Sequence, residues 1–104
     1  MDKLAALREI LQLDPANAFA RYGLAMENLA QGNPEAALAE FSICIAHNPD
    51  YVPAYQISAQ TLVTLSRTEE AVARLDDGIA AAQRTGNRHA LAEMSATRGE
   101  LASR

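Results

Sequence analysis

The stretch Gln31-Gly32-Asn33-Pro34-Glu35 separates two amphipathic runs, and its reading decides the fold. Before it, Phe19, Tyr22, Leu24, Met26 and Leu29 recur at helical spacing; after it, Ala37, Leu38, Phe41, Cys44 and Ile45 do the same. Gly32 can take the left-handed conformation that ends a helix, Asn33 can cap the next one, and Pro34 suits a first turn, where no amide donor is missed. These five residues predict a helix, a tight turn and a second helix.

Working outward, the pattern repeats. Asp14-Pro15 and Asn48-Pro49 close similar apolar stretches and lie 49 − 15 = 34 residues apart. In the second unit a helix opens at Asp50 or Tyr51 and runs through Leu65, with Pro53 tolerated in its first turn. Ser66-Arg67-Thr68-Glu69 reads as a capping box for the following helix, which carries Ala71, Val72, Leu75 and Ile79 and ends near Arg84. Thr85-Gly86-Asn87 supplies a stop and a new cap. A last amphipathic helix, Arg88 to Ala102, turns Leu91, Met94 and Leu101 inward and Arg88, Glu93, Arg98 and Glu100 mostly to water. At the amino end, Leu4, Leu7, Ile10, Leu11 and Leu13 precede Asp14-Pro15 as the second helix of a repeat would. The expected organisation is one domain over 1–104: an N-terminal half-repeat helix at 1–14, repeat one at 18–51, repeat two at 52–85 and a C-terminal capping helix at 87–103. Repeat units cannot bury their apolar faces alone, and flanking helices cover two complete ones.

Composition agrees with close-packed helices. Hydrophobic residues make up 49% of the 104 residues but aromatics only 5%, so alanine and leucine carry the apolar fraction. A net charge of −4, from thirteen acids and nine basic side chains, gives little pull toward phosphate backbones, and no nucleic-acid partner is expected. Cys44 is the single cysteine, which excludes an internal disulfide and a cysteine-pair zinc site. Asp2, Arg8 and Glu9 interrupt the apolar residues of the amino end, so neither a signal peptide nor a membrane anchor is expected there, and the chain reads as cytoplasmic.

With this register the chain resembles the tetratricopeptide-repeat family, whose motif runs from an aromatic, through Leu-Gly and an aromatic, to Ala, an aromatic and Pro. The first unit has Leu24-Ala25 for Leu-Gly, then Ala37, Phe41, Cys44 at the next small slot, and Pro49; Arg21 and Asn28 stand where aromatics are usual. The second has Tyr55, Ala59, Ala71, Leu75 in place of the ring, and Gly78; Ser58 and Gln83 depart from Leu and Pro. The resemblance implies an all-α fold, a right-handed stack of antiparallel helix pairs with about six helices, in which Ala25, Ala37, Cys44, Ala59, Ala71 and Gly78 sit at the closest helix approaches. It also implies a protein-interaction module that binds a peptide or protein segment in a concave groove lined by the first helix of each repeat. Carried over, that groove is Phe19, Tyr22, Met26, Leu29 and Tyr51 at an apolar end, and Gln56, Gln60, Val63 and Thr64 at a polar one. The Phe19, Tyr22 and Met26 stripe is a contact surface, or core if the amino-terminal helix covers it. Tyr22, Met26, Ile57 and Gln56 occupy positions where some family members clamp a terminal carboxylate with lysine and asparagine, so that clamp is not expected.

No catalytic constellation is legible. His47 and His89 stand at helix ends without a partner at motif spacing, and a metal or catalytic site needs several converging groups. Glu69-Glu70 and Asp76-Asp77 are sequence neighbours, which point about 100° apart on a helix and form no dyad. The glycines are scattered singly and build no phosphate loop. Arg84, Arg88 and Arg98 form either a basic margin or scattered solvating charges. The expectation is a non-enzymatic protein without cofactors, whose partner is a protein or peptide. The alternative is a self-associating scaffold that stacks through its terminal helices, with the Leu4, Leu7 and Leu11 stripe facing a second copy.

Overall fold

Alanine- and leucine-rich segments punctuated by Gly, Asn and Pro fold into six helices among the described residues, and the computed structural model describes residues 2–103. Met1 and Arg104, the outer ends of the single-domain reading, lie outside the described residues. The helices are α1 (Lys3–Leu13), α2 (Ala18–Ala30), α3 (Pro34–His47), α4 (Val52–Thr64), α5 (Thr68–Thr85) and α6 (Arg88–Ala102), and no strand interrupts them among those residues. Contacts divide the chain into two compact units, one ending at Pro49 and the other beginning at Asp50.

Helix starts follow from side-chain caps. Asp2 accepts from the Ala5 amide at 2.8 Å, Asn17 from Ala20 at 2.8 Å, and Asn87 from Ala90 at 3.1 Å, each satisfying a donor the helix cannot. Two expected caps are absent. Asn33 occupies the N-cap position of α3 but makes no side-chain cap bond, and Pro34 follows it directly. At α5 the N-cap residue is Arg67, again without a side-chain cap, so Ser66 is not the head of a capping box.

Ser66 serves instead as the last residue of a turn that occurs three times. After α2, the Asn33 amide bonds the Asn28 carbonyl at 2.8 Å and the Gly32 amide bonds Leu29 at 3.1 Å. After α4, Arg67 bonds Leu62 at 2.9 Å and Ser66 bonds Val63 at 2.9 Å; after α5, Asn87 bonds Ala82 at 2.9 Å and Gly86 bonds Gln83 at 3.3 Å. This is the Schellman arrangement, which needs a left-handed residue just past the helix. Gly32 (φ 77°) and Gly86 (φ 71°) adopt it at no steric cost, whereas Ser66 (φ 60°) adopts it with a Cβ.

In the first unit α1 packs on α2 and α2 on α3. Leu7 is the one buried residue of α1 and lies over Gly23, where a Cβ would come 3.1 Å from Leu7 Cδ2. The Leu4, Leu7 and Leu11 stripe is therefore spent largely within the chain, with Leu4 and Leu11 half-buried; the exposed apolar residues of α1 are Ile10 and Leu13. Ala20, Leu24 and Ala25 of α2 and Ala37, Leu38, Phe41 and Cys44 of α3 are buried. Arg21, at an aromatic slot, is held by Glu40 at 3.0 Å and donates to the Pro15 carbonyl at 3.1 Å. Asn48 ties the end of α3 to the Ala16 carbonyl at 2.9 Å. The Cys44 thiol donates to the Ala18 carbonyl at 3.7 Å, and burial raises its pKa, partly offset by the positive charge of Arg21.

In the second unit α5 contacts both α4 and α6. Gly78 marks the tightest point: a Cβ there would lie 2.7 Å from Met94 Sδ and 2.7 Å from Tyr55 Cβ. Ser58, at the family's Leu position, is fully buried with its hydroxyl donating to the Ala54 and Tyr55 carbonyls, so the polar substitution leaves no orphan donor. Arg84 bonds Asp50 at 2.9 Å and Arg98 bonds Asp76 at 2.9 Å, so the prospective basic margin is neutralised at two of its three members.

Replacing Ser66 by glycine removes a left-handed cost of about 1–2 kcal/mol for an L-residue against about 0.5–1 kcal/mol of extra chain entropy. Ser66→Gly should therefore raise stability by about 0.5–1 kcal/mol in urea unfolding; a lower midpoint would contradict the turn geometry. Gly78→Ala should lower stability by about 1–2 kcal/mol, because the new methyl meets a Cβ that cannot rotate away. Gly99→Ala, with nothing within 4 Å of the added carbon, should gain about 0.5–1 kcal/mol from helix propensity. Native Cys44 should react with a maleimide at pH 7.5 at least about 100-fold more slowly than in the denatured chain, since its attack requires both opening and deprotonation; comparable rates would show that the thiol is not buried.

Candidate functional site

The neighbours of each first helix determine what it has left to offer. On α2, helix α1 takes the Gly23 and Glu27 side, with Leu7 over the former and Lys3 3.4 Å from the latter. Helix α3 takes the side of Arg21, which reaches Glu40. At 3.6 residues per turn, the remaining arc holds Phe19, Tyr22, Met26 and Leu29. Phe19 is 70% exposed and Met26 38%, values that are unusual for side chains of this size. Leu29 is half-buried, and so is Tyr22, whose ring centroid lies 5.8 Å from that of Phe41 in a tilted pair. The stripe is thus exposed at Phe19 and Met26, while Tyr22 is shared between the surface and the α2–α3 core.

On α4, Val52, Ala54, Tyr55, Ser58, Ala59, Thr61 and Leu62 are buried, which leaves the arc of Gln56, Gln60, Val63 and Thr64, joined by Pro53 and Ile57. Gln60 and Thr64 are exposed, and Gln56 and Val63 are half-buried. The Thr64 hydroxyl donates to the Gln60 carbonyl at 3.0 Å, spending its proton within the helix and keeping its lone pairs outward. Tyr51 is the N-cap residue of α4 and is half-buried. Burial raises the pKa of Tyr55, behind this face, against the lowering effect of Arg84.

Within the second unit Gln56, Ala59 and Gln60 of α4 face Glu93, Met94 and Thr97 of α6 across a small cleft with Leu75 of α5 at its base. Glu93 and Thr97 were not among the residues expected to line a site. Their spacing of four puts them on one helix face, but only the placement of α6 beside α4 makes that face part of a cleft. Among the described residues no group of three or more His, Cys, Asp or Glu side chains is placed to hold a metal ion, and no helix is long and apolar enough to cross a membrane. His47 and His89 are both exposed, and His89 Nε2 contacts the Glu93 carboxylate one turn on.

The arrangement is that of known helical repeats. A tetratricopeptide-repeat model matches residues 28–94. No curated protein matches the chain. Among solved structures, a tetratricopeptide repeat domain protein from Salinibacter ruber, determined by NMR, is 33% identical and superposes with a TM-score of 0.79, over 85% of this chain and 89% of that one. The TPR2B domain of yeast Sti1, solved in a complex with pHsp70, has 18% identity and a TM-score of 0.85, over 96% of this chain and 80% of that one. PcrH, solved in complex with the chaperone binding region of PopD, has 17% identity and a TM-score of 0.87, over 96% and 76%. The small residues that close the helix pairs, the thrice-used turn and these matches together place the chain in the tetratricopeptide-repeat family.

Proposed function

We propose that this chain is a non-enzymatic, cytoplasmic protein-interaction module, a scaffold that binds a peptide or protein segment on the open faces of its first helices. Its binding residues are Phe19, Tyr22, Met26 and Leu29 on α2 and Tyr51, Gln56, Gln60, Val63 and Thr64 on α4. In this reading 18–51 and 52–85 are the two repeats, 1–14 is a half-repeat and 87–103 a cap. The observation that carries it is the exposure of Phe19 and Met26 on the arc of α2 that α1 and α3 leave largely open. That yeast Sti1 and PcrH were each solved with a bound partner supports the class of function.

A second reading, self-association through the terminal helices, is favoured by Leu13, which is 91% exposed at the end of α1, and by Ile10 one turn before it.

A pull-down from native lysate separates the two. The parent chain should recover a partner, and a Phe19→Ala, Met26→Ala double variant should lose it by about 30–1,000-fold, since exposed apolar anchors contribute about 1–2 kcal/mol each to binding. The melting temperature of that variant should stay near the parent's, whereas Tyr22→Ala should lower it because the ring also packs on Phe41. Recovery that is indifferent to the double variant would overturn the α2 face as the working surface. Sedimentation that depends on concentration and on Leu13 would establish self-association.

A further inference from the structure

The cleft between α4 and α6 has a chemistry of its own. Its floor is apolar and buried: Ala59, Leu75 and Met94. Its rim is polar: Gln56, Gln60, Glu93 and Thr97. The cleft is open to solvent on one side, about 280 Å³ including its mouth. It admits one slender side chain.

The charge at the rim decides which tip. Glu93 is the one charged side chain lining the cleft among the described residues, and no lysine or arginine lines it. Arg98, one residue beyond Thr97, is turned to Asp76 at 2.9 Å. The Thr97 hydroxyl donates to the Glu93 carbonyl at 3.1 Å, so toward the cleft it offers lone pairs. Gln56 and Gln60 add amides that can accept as well as donate, so the rim offers acceptors beside one negative charge. An acidic side chain would meet the repulsion of Glu93, with the exposed His89 imidazole beside it and no lysine or arginine lining the cleft. A leucine would cover the floor but strip water from Glu93 without replacing it. A lysine satisfies both parts, because its aliphatic stem lies along Met94 and Leu75 while its ammonium brings three donors to the rim. Arginine carries the same charge in a bulkier, planar fork.

We infer that the α4–α6 cleft is a subsite for a lysine side chain of a bound segment, with Glu93 as its counter-charge and Ala59, Leu75 and Met94 as the bed for its stem. This rests on the reading of the open α4 face as a contact surface, and it adds a chemical preference to that reading.

The test uses the full chain, labelled with ¹⁵N, and three blocked pentapeptides that differ only in a central lysine, norleucine or glutamate. The lysine peptide should shift the amide signals of Gln56, Gln60, Glu93 and Thr97 and saturate at a concentration about fivefold below that of the norleucine peptide, as expected for one partly solvated ion pair. The glutamate peptide should leave those signals unmoved. Glu93→Gln should bring the lysine peptide to the norleucine level, and higher salt should weaken the lysine peptide alone. Glu93 lies on the exposed side of α6, so the thermal melt of the variant should match the parent's. A lysine advantage that survives Glu93→Gln overturns the subsite, as does the absence of any shift at the four amides. Equal saturation by lysine and norleucine, with the four amides still shifting, removes the lysine subsite and leaves the contact surface standing.

Discussion

At residue 78 there is no room for a methyl group. A Cβ on Gly78 would lie 2.7 Å from both the Met94 sulfur and the Tyr55 Cβ, so the glycine sets how closely α5 lies to α4 and α6. The same demand recurs at Ala25, Ala37, Ala59 and Ala71 and at Cys44, all almost fully buried. Close approach of helices leaves side chains at these points only as large as the gap, and close packing makes even one extra methylene costly. It follows that so few aromatics suffice: Phe41 and Tyr55 fill one core position each, and backbones brought close together supply the rest of the contact.

Within that constraint, the family's larger positions can be refilled by quite different chemistry. Arg21 replaces a ring and remains half-buried because Glu40 and the Pro15 carbonyl answer two of its nitrogens, although its Nε is buried without a hydrogen-bond partner. The arginine therefore trades ring packing for a charge pair that desolvation leaves only weakly favourable. Ser58 replaces a leucine and survives full burial because its hydroxyl turns back onto its own helix. Each of these changes avoids an unsatisfied charge or hydroxyl at the cost of buried apolar area.

Much of this was legible in the sequence. The 34-residue spacing, the left-handed glycines at 32 and 86, and the small residues at fixed offsets encode local geometry, and local geometry is what a sequence states most directly. Ser66 was harder to read, because Ser66-Arg67-Thr68-Glu69 fits a capping box as well as it fits the end of the preceding helix. The choice fell to the Schellman turn, whose two backbone bonds outweigh one side-chain cap. The leucines of α1 carried an unmistakable period, yet which of them would be covered depended on Gly23 leaving a gap for Leu7. For the same reason the face of Glu93 looked merely wet: amphipathic period tells a helix's two sides apart but not what lies across from the polar one.

The placement of charge makes that polar face more specific than its composition suggests. Lys3, Arg21, Arg67, Arg84 and Arg98 each lie against a carboxylate of their own unit: Glu27, Glu40, Glu70, Asp50 and Asp76. All but the half-buried Arg21–Glu40 pair are largely exposed and add little stability, but together they fix where positive charge is spent. In a chain of net charge −4, carboxylates outside such pairs set the local field. Glu93 is one of them, contacted by the exposed imidazole of His89 and standing at the rim of a cleft with an apolar floor. Placed this way, charge is concentrated at one point of the α6 face and an apolar surface lies beside it.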